Sequence, residues 1–164
     1  MSRLHPGIFR LFPGNQLIAS GAHHRSAFAR GGMASILVVD DNAEVRKVMT
    51  RGLEFAGHRV MAAADGWKAM IGFRRQGADL VIMDMSCSEP ESHHTMTEIR
   101  SLNRDVKVLA LSRAGRQSEG EFLGCAAACG ADGFLTKPFS LLDLLVAVDE
   151  LLPMSARSRL HEAS

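Results

Sequence analysis

No run of the sequence approaches the ~18 continuous apolar residues of a membrane-spanning helix, so a bilayer-embedded chain is not expected. Cysteine is scarce. The three cysteines are an odd number without framework spacing, which fits a reducing cytosol better than a secreted disulfide fold. Neither sign of charge dominates: 19 basic residues against 18 acidic ones leave a formal +1, which gives no reason to invoke nucleic acid or a membrane surface. No internal repeat is visible. Acids are missing altogether from residues 1–33, which carry Arg3, Arg10, Arg25 and Arg30; the first acid is Asp40. A compositional break of that kind marks a boundary. What remains is 164 residues, 46% apolar and 23% charged, enough for one ordinary domain with a buried core.

Residues 1–33 mix Gly, Pro, His and Arg with no apolar period and read as poorly ordered. They are expected to be such a segment, or an upstream extension of the gene ahead of a working start at Met33. An organelle-targeting leader would also be acid-free, but Ser is sparse and the amphipathic pattern weak. The folded domain is expected over 34–153, followed by a polar tail at 154–164.

Within that domain short apolar runs alternate with helical periods. Ile36 to Val39, Val60 to Ala63, Asp79 to Asp84, Val106 to Leu111 and Gly133 to Thr136 read as strands. Asn42 is placed to cap a helix with Val45, Val48, Met49, Leu53 and Ala56 on its apolar face, and Gly57 sits where a left-handed C-cap belongs. After the turn Asp65-Gly66, a second helix presents Trp67, Met70 and Ile71 and stops near Gly77; Trp67 is expected to pack against the sheet. Ser86 to Ser92 reads as a polar loop, and a third helix ends around Ile99 to Leu102. A fourth ends at Gly130, with Cys125 and Cys129 packing as small apolar groups. The last runs from Leu141 to Leu152. Five strands alternating with five helices give an α/β domain of three layers, a parallel sheet covered on both faces.

Ligands of such sheets bind outside the carboxyl ends of the strands. Those ends deliver Asp40-Asp41, Asp84, Ser112 and Lys137. A single Asp at a strand end is common and means little, but this combination is not expected from chance. Three carboxylates brought together need a counter-charge beyond one ammonium. All-oxygen ligands select a hard divalent ion such as Mg²⁺, which favours sites where a phosphate completes its shell. One carboxylate of such a site can serve as nucleophile and form an acyl phosphate. A metal, the Lys137 ammonium and the Ser112 hydroxyl would then each meet one phosphoryl oxygen.

Ile36-Leu37-Val38-Val39-Asp40-Asp41, Ala64-Asp65-Gly66-Trp67-Lys68-Ala69, Asp79 to Asp84, and Gly130 to Phe139 together carry a specific likeness. From Ser35 to Leu152 the chain resembles the receiver domain of two-component response regulators. The resemblance implies a flavodoxin-like (βα)5 sheet of order 2-1-3-4-5. It implies that Asp84 accepts a phosphoryl group from a histidine kinase or a histidine phosphotransfer protein. Asp40, Asp41, Asp84 and the carbonyl of Ser86 would hold Mg²⁺, and Ser112 and Lys137 would contact the phosphoryl group. Phe134 takes the aromatic switch position beside Ser112, and Lys137-Pro138 would be cis. The output would be a protein target bound on the face of the fourth helix, fifth strand and fifth helix.

The loop after Asp84 departs from the family pattern. Places usually held by Pro and Gly hold Ser88 and Ser92, with Pro90 between them. The third helix, with His93 and His94, is unusually polar; the segment from Ser112 to Lys137 is longer than usual, and Arg113 stands where a small residue is common. Ser86 and Ala114 offer no bulky shield to water. Cys87, with His93 and His94, would suit a soft metal, but reads better as a plain loop residue. The expected role is a stand-alone, cytoplasmic phosphorelay receiver, a switch or phosphoryl shuttle. Only self-phosphorylation and self-dephosphorylation are expected, not turnover. The polar residues after Pro153 form no DNA-binding module. The alternative is a receiver-like scaffold that binds its partner without phosphorylation. A phosphatase with an Asp nucleophile would need a second acid near Asp84, and a flavin binder would need a Ser/Thr/Gly-rich loop after the first strand; neither is present.

Overall fold

The apolar runs form strands because each can bury both of its faces, and alternate side chains take opposite sides of the sheet. The computed structural model describes residues 9–11, 32–85, 90–113 and 119–152. Its strands are β1 (Phe9–Leu11), β2 (Ser35–Val39), β3 (Arg59–Ala63), β4 (Leu80–Asp84), β5 (Lys107–Arg113) and β6 (Gly133–Lys137). Its helices are α1 (Ala43–Phe55), α2 (Gly66–Gln76), α3 (Pro90–Leu102), α4 (Glu119–Ala128) and α5 (Leu141–Leu151). The sheet order is β1-β6-β5-β4-β2-β3. Strands β2 to β6 are mutually parallel; counted among themselves they run 2-1-3-4-5, as the resemblance implies.

Leu37, Val39, Val81, Met83, Val108, Ala110 and Phe134 pack on one face with Ala69, Met70 and Phe73 of α2, Met96 and Ile99 of α3, and Ala126 of α4. Their immediate neighbours Ile36, Val38, Leu80, Ile82, Leu109, Leu111 and Leu135 pack on the other with Met49 and Leu53 of α1 and Leu144, Val148 and Leu151 of α5. The two cores therefore interleave residue by residue along the same strands. A one-residue slip of any strand would exchange its contributions to both.

One strand overturns an expectation. Within residues 1–33, expected to lack regular structure, Phe9–Leu11 pairs antiparallel with β6, Phe9 opposite Leu135 and Leu11 opposite Gly133. Without it β6 would be an edge with unpaired backbone groups, and a short apolar segment satisfies those groups by adding a strand.

The helix starts follow their caps. Asn42 Oδ1 accepts from the Glu44 and Val45 amides at 3.0 and 3.2 Å, and Gly57 takes φ 92° just past α1. Ser140 and Asp143 form a reciprocal capping box on α5. Helix α3 begins earlier than expected, at Pro90, because proline's fixed φ suits a first helical position and its missing N–H would be unpaired there anyway. Trp67 does not pack on the sheet: it is 71% exposed, since Ala69, Met70 and Phe73 already fill the inward face of α2. The indole instead borders a groove with Arg74, His94 and Glu98. Val48, assigned to the apolar face of α1, is likewise exposed, while Met49 and Leu53 are buried as expected, together with Gly52. The Lys137–Pro138 peptide is cis.

A polar staple closes the end of the sheet opposite the acids. Arg100 donates to the carbonyls of Val106 (2.5 Å), Gly130 (2.5 Å) and Arg104 (3.1 Å) and to Asp132 Oδ2 at 2.7 Å. Asp132 in turn accepts from the Val108 amide at 2.8 Å and from Lys107 at 3.3 Å. Truncating Asp132 removes a charged acceptor of a largely buried guanidinium and the acceptor of the Val108 amide. Asp132→Ala should therefore lower the urea-unfolding free energy by about 2–3 kcal/mol, whereas Leu142→Ala, at an exposed position, should stay within ~0.5 kcal/mol of the parent.

Asp65 caps α2 through the Lys68 amide at 2.8 Å. That backbone bond, outweighing a small burial effect and joined by the Lys68 ammonium, holds the Asp65 carboxyl below its ordinary value of 3.8. A depressed folded value means the cap's contribution is complete above the ordinary value and disappears as pH falls through the lowered one. In an acid titration followed by NMR, the Lys68 amide shift should move with a midpoint below 3.8; a midpoint at or above it would contradict the cap.

Candidate functional site

Parallel strands end on the same side, so the residues that follow β2, β4, β5 and β6 meet at one edge. Asp40 follows Val39 directly and is buried, 1% exposed. Such burial demands partners for both oxygens. Its Oδ1 accepts from the Asn42 amide at 2.9 Å and its Oδ2 from Lys137 Nζ at 2.5 Å. The backbone turn that presents Asp40 and Asp41 is held by Arg46, whose Nη1 donates to the carbonyl of Asp40 at 2.6 Å and of Asp41 at 3.4 Å.

Asp84 closes β4 and is half-buried. Its Oδ2 accepts from the same Lys137 ammonium at 3.1 Å. Lys137 thus lies between two carboxylates, while Asp41 stands exposed at the mouth. One carboxylate oxygen from each of Asp40, Asp41 and Asp84 lies within 4.8 Å of the others. Three carboxylates against one ammonium leave a formal −2, and the donors are all hard oxygens. This set fits a divalent cation of the oxygen-binding class.

Strand register supplies the rest. Asp84 is opposite Leu111, Ser112 opposite Thr136, and Arg113 opposite Lys137. Ser112 therefore sits at the same edge, one step beyond Asp84, and is buried at 6% exposure. Phe134 lies three residues before Lys137 on β6 with its ring buried on the α2–α3–α4 face. Of the residues singled out from sequence, the fold brings Asp40, Asp41, Asp84 and Lys137 into one cluster and puts Ser112 and Phe134 on the two strands beside it. Ser86, the remaining expected metal ligand, lies outside the described residues, as do Cys87, Ser88 and Ala114.

The cleft above the acids, ≈ 170 Å³, is also walled by Gly66, Glu91 and Thr95. Sequence reading missed Thr95. It is a polar residue at 4% exposure on α3, facing the start of α2. The only signal was Gly66: a Cβ there would run into the Thr95 hydroxyl, so glycine is what lets α2 approach the cleft. The thiols of Cys125 and Cys129 behave differently from expectation as well. Cys129 does pack against the core, but both contact His93.

Among the described residues no helix is long and apolar enough to cross a membrane. The response regulator receiver domain family matches residues 36–149. The chain is similar to the transcriptional regulatory protein PrrA of Mycobacterium tuberculosis, 33% identical over 117 residues that make up 71% of this chain and 49% of PrrA. It is also similar to the response regulator MprA of a Mycobacterium species, 35% identical over 117 residues, 71% of this chain and 50% of MprA. The chain therefore spans about half the length of the curated relatives it matches. Among solved structures, the chemotaxis response regulator CheY4 of Vibrio cholerae superposes with a TM-score of 0.65 at 29% identity, covering 73% of this chain and 99% of CheY4. The match runs from the first parallel strand into the last helix, across every segment that contributes to the acidic edge, and the chain belongs to the response regulator receiver domain family.

Proposed function

We propose that this receiver accepts a phosphoryl group on a carboxylate oxygen of Asp84 from the phosphohistidine of a histidine kinase or histidine phosphotransfer protein. The observation that carries the reading is the Lys137 ammonium set between Asp40 and Asp84, at 2.5 and 3.1 Å. An ammonium so placed can follow Asp84 from carboxylate to acyl phosphate without leaving the site. The Asp84 oxygen forms a bond to phosphorus as the P–N bond breaks, and the electron pair returns to the departing imidazole. Little covalent chemistry is asked of the protein beyond alignment and charge neutralisation.

Asp40, Asp41 and Asp84 would hold Mg²⁺, with the Ser86 carbonyl completing the protein's share. Bound there, the ion supplies charge neutralisation for the incoming phosphoryl oxygens. Lys137 keeps Asp84 oriented and meets a second oxygen, and the Ser112 hydroxyl donates to a third. As Ser112 turns toward that oxygen it vacates space on β5 beside β6, the strand that carries Phe134. Repacking of Phe134 would then alter the face of α4, β6 and α5, through which a protein target is bound. The protein acts once per phosphoryl group and is not a turnover enzyme; with the kinase's catalytic side as donor, its place is the cytoplasm.

Incubation with Mg²⁺ and acetyl phosphate should add the mass of one phosphoryl group to the parent chain and nothing to Asp84→Asn. Equal gain by the variant would remove Asp84 from its role. The lone tryptophan, Trp67, adjoins Gly66 at the cleft wall and offers a fluorescence readout of ion binding. Asp41→Asn, which removes an exposed ligand without disturbing the buried pair, should weaken Mg²⁺ at least roughly tenfold in that titration. An unchanged midpoint would take Asp41 out of the ligand set.

A further inference from the structure

A second reactive cluster lies away from the acidic edge. Cys125 is on α4, and Cys129 follows its last residue, its amide still donating to the Cys125 carbonyl at 3.0 Å. His93 comes from the start of α3. Its Nε2 is 3.1 Å from Cys125 Sγ and its Nδ1 is 2.9 Å from Cys129 Sγ. All three side chains are half-buried, so small molecules in water reach them.

A neutral imidazole offers one N–H and one lone pair. Held between two thiols, it can accept a hydrogen bond from one S–H while its own N–H points at the other sulfur. A nucleophile, its base and a second thiol one helical turn away are thereby assembled. We propose that Cys125 and Cys129 form a hydroperoxide-reactive dithiol in which His93 relays the proton.

One sulfur attacks an oxygen of the hydroperoxide and the O–O bond breaks. The thiol proton passes through His93 to the departing alkoxide, which leaves as an alcohol, and the sulfur becomes a sulfenic acid. The second sulfur then attacks it, the S–O bond breaks, and water leaves with the second thiol proton. Two thiols are oxidised to one disulfide, and one peroxide is reduced to alcohol and water.

A soft metal ion is the competing occupant, and the geometry disfavours it. The sulfurs address opposite nitrogens of one ring, so a single ion cannot take all three ligands without turning the ring. Among the described residues, only Asp40, Asp41 and Asp84 converge closely enough as a group of three metal-capable side chains.

Closing the disulfide has a structural consequence. Side chains a helical turn apart hold their Cβ atoms about 5–6 Å apart, but a disulfide needs ~3.5–4.5 Å. The last turn of α4 must therefore open and give up the Cys129–Cys125 backbone bond. The chain just beyond cannot absorb the change easily, since Arg100 grips the Gly130 carbonyl and Asp132. None of Asp84, Ser112 or Lys137 takes part, so the outcome here is independent of phosphoryl acceptance.

The test treats the reduced full chain with hydrogen peroxide or an alkyl hydroperoxide, then alkylates with iodoacetamide and maps the peptides by mass. The oxidised protein should lack two hydrogens, link Cys125 to Cys129, and carry its single alkyl group on Cys87. Of the variants Cys125→Ser and Cys129→Ser, at least one should stop at a sulfenic acid on the remaining cysteine that dimedone traps. His93→Phe should slow disulfide formation roughly tenfold or more with the alkylation rate of Cys87 unchanged. The proposal fails if Cys125 and Cys129 remain fully alkylated after peroxide, if the link involves Cys87, or if folded His93→Phe reacts at the parent rate. It also fails if one equivalent of Zn²⁺ shields both thiols from alkylation, which would assign the cluster to a metal instead.

Discussion

The Lys137 ammonium shared by Asp40 and Asp84 is the interaction on which the acidic edge depends. Two carboxylates from adjacent strands repel one another, and one of them, Asp40, has almost no access to water. Burying that charge is tolerable only because an ammonium and the Asn42 amide meet it directly. Asp41 stays at the solvent-facing mouth. The result is an edge that is coherent by itself yet still carries a formal −2. Such an edge suits a divalent cation of the oxygen-binding class, with the Lys137 ammonium held between Asp40 and Asp84.

This arrangement constrains everything upstream of it. Lys137 reaches Asp40 only if β6 ends level with β5, and β5 with β4, which the register from Asp84 and Leu111 to Arg113 and Lys137 secures. The register in turn rests on the two interleaved cores, where neighbouring residues such as Leu109 and Ala110 belong to opposite faces. At the far end of the sheet, Arg100 and Asp132 tie the start of β5 to the turn that leads into β6. Packing fixes the strands sideways, and the polar staple fixes where β6 begins. The position of Lys137 follows from both.

Much of this was legible in the sequence, for identifiable reasons. Runs such as Ile36–Val39 and Val81–Met83 are apolar because both sheet faces are covered, and a polar residue at the end of such a run has one place to go. Asn42, Asp65 and Gly57 announce helix boundaries through local hydrogen bonding and backbone conformation alone. What was not legible depended on non-local partners. The pairing of Phe9–Leu11 with β6 is set by the unmet backbone groups of a strand far along the chain, not by any period of its own. The exposure of Trp67 follows from three other residues of α2 having filled the inward face. Thr95 looked like one more polar residue until the bare Cα of Gly66 brought α2 against it.

Helix α3 shows the same lesson most fully. By composition it is too polar to read as a core helix, and only Met96 and Ile99 anchor it to the sheet among its fully buried large side chains. Yet several of its polar residues meet neighbouring elements. Thr95 walls the acidic cleft, Glu98 pairs with Arg74 of α2, Arg100 holds the turn before β6, and His93 meets the thiols at the end of α4. A helix stabilised in this way by directed contacts, with a narrow apolar stripe, links its neighbours through charged and hydrogen-bonding groups. That is the physical reason the departure of this segment from the family pattern need not weaken the fold: partners recruited from α2, α4 and the turn before β6 replace the apolar surface that its sequence lacks.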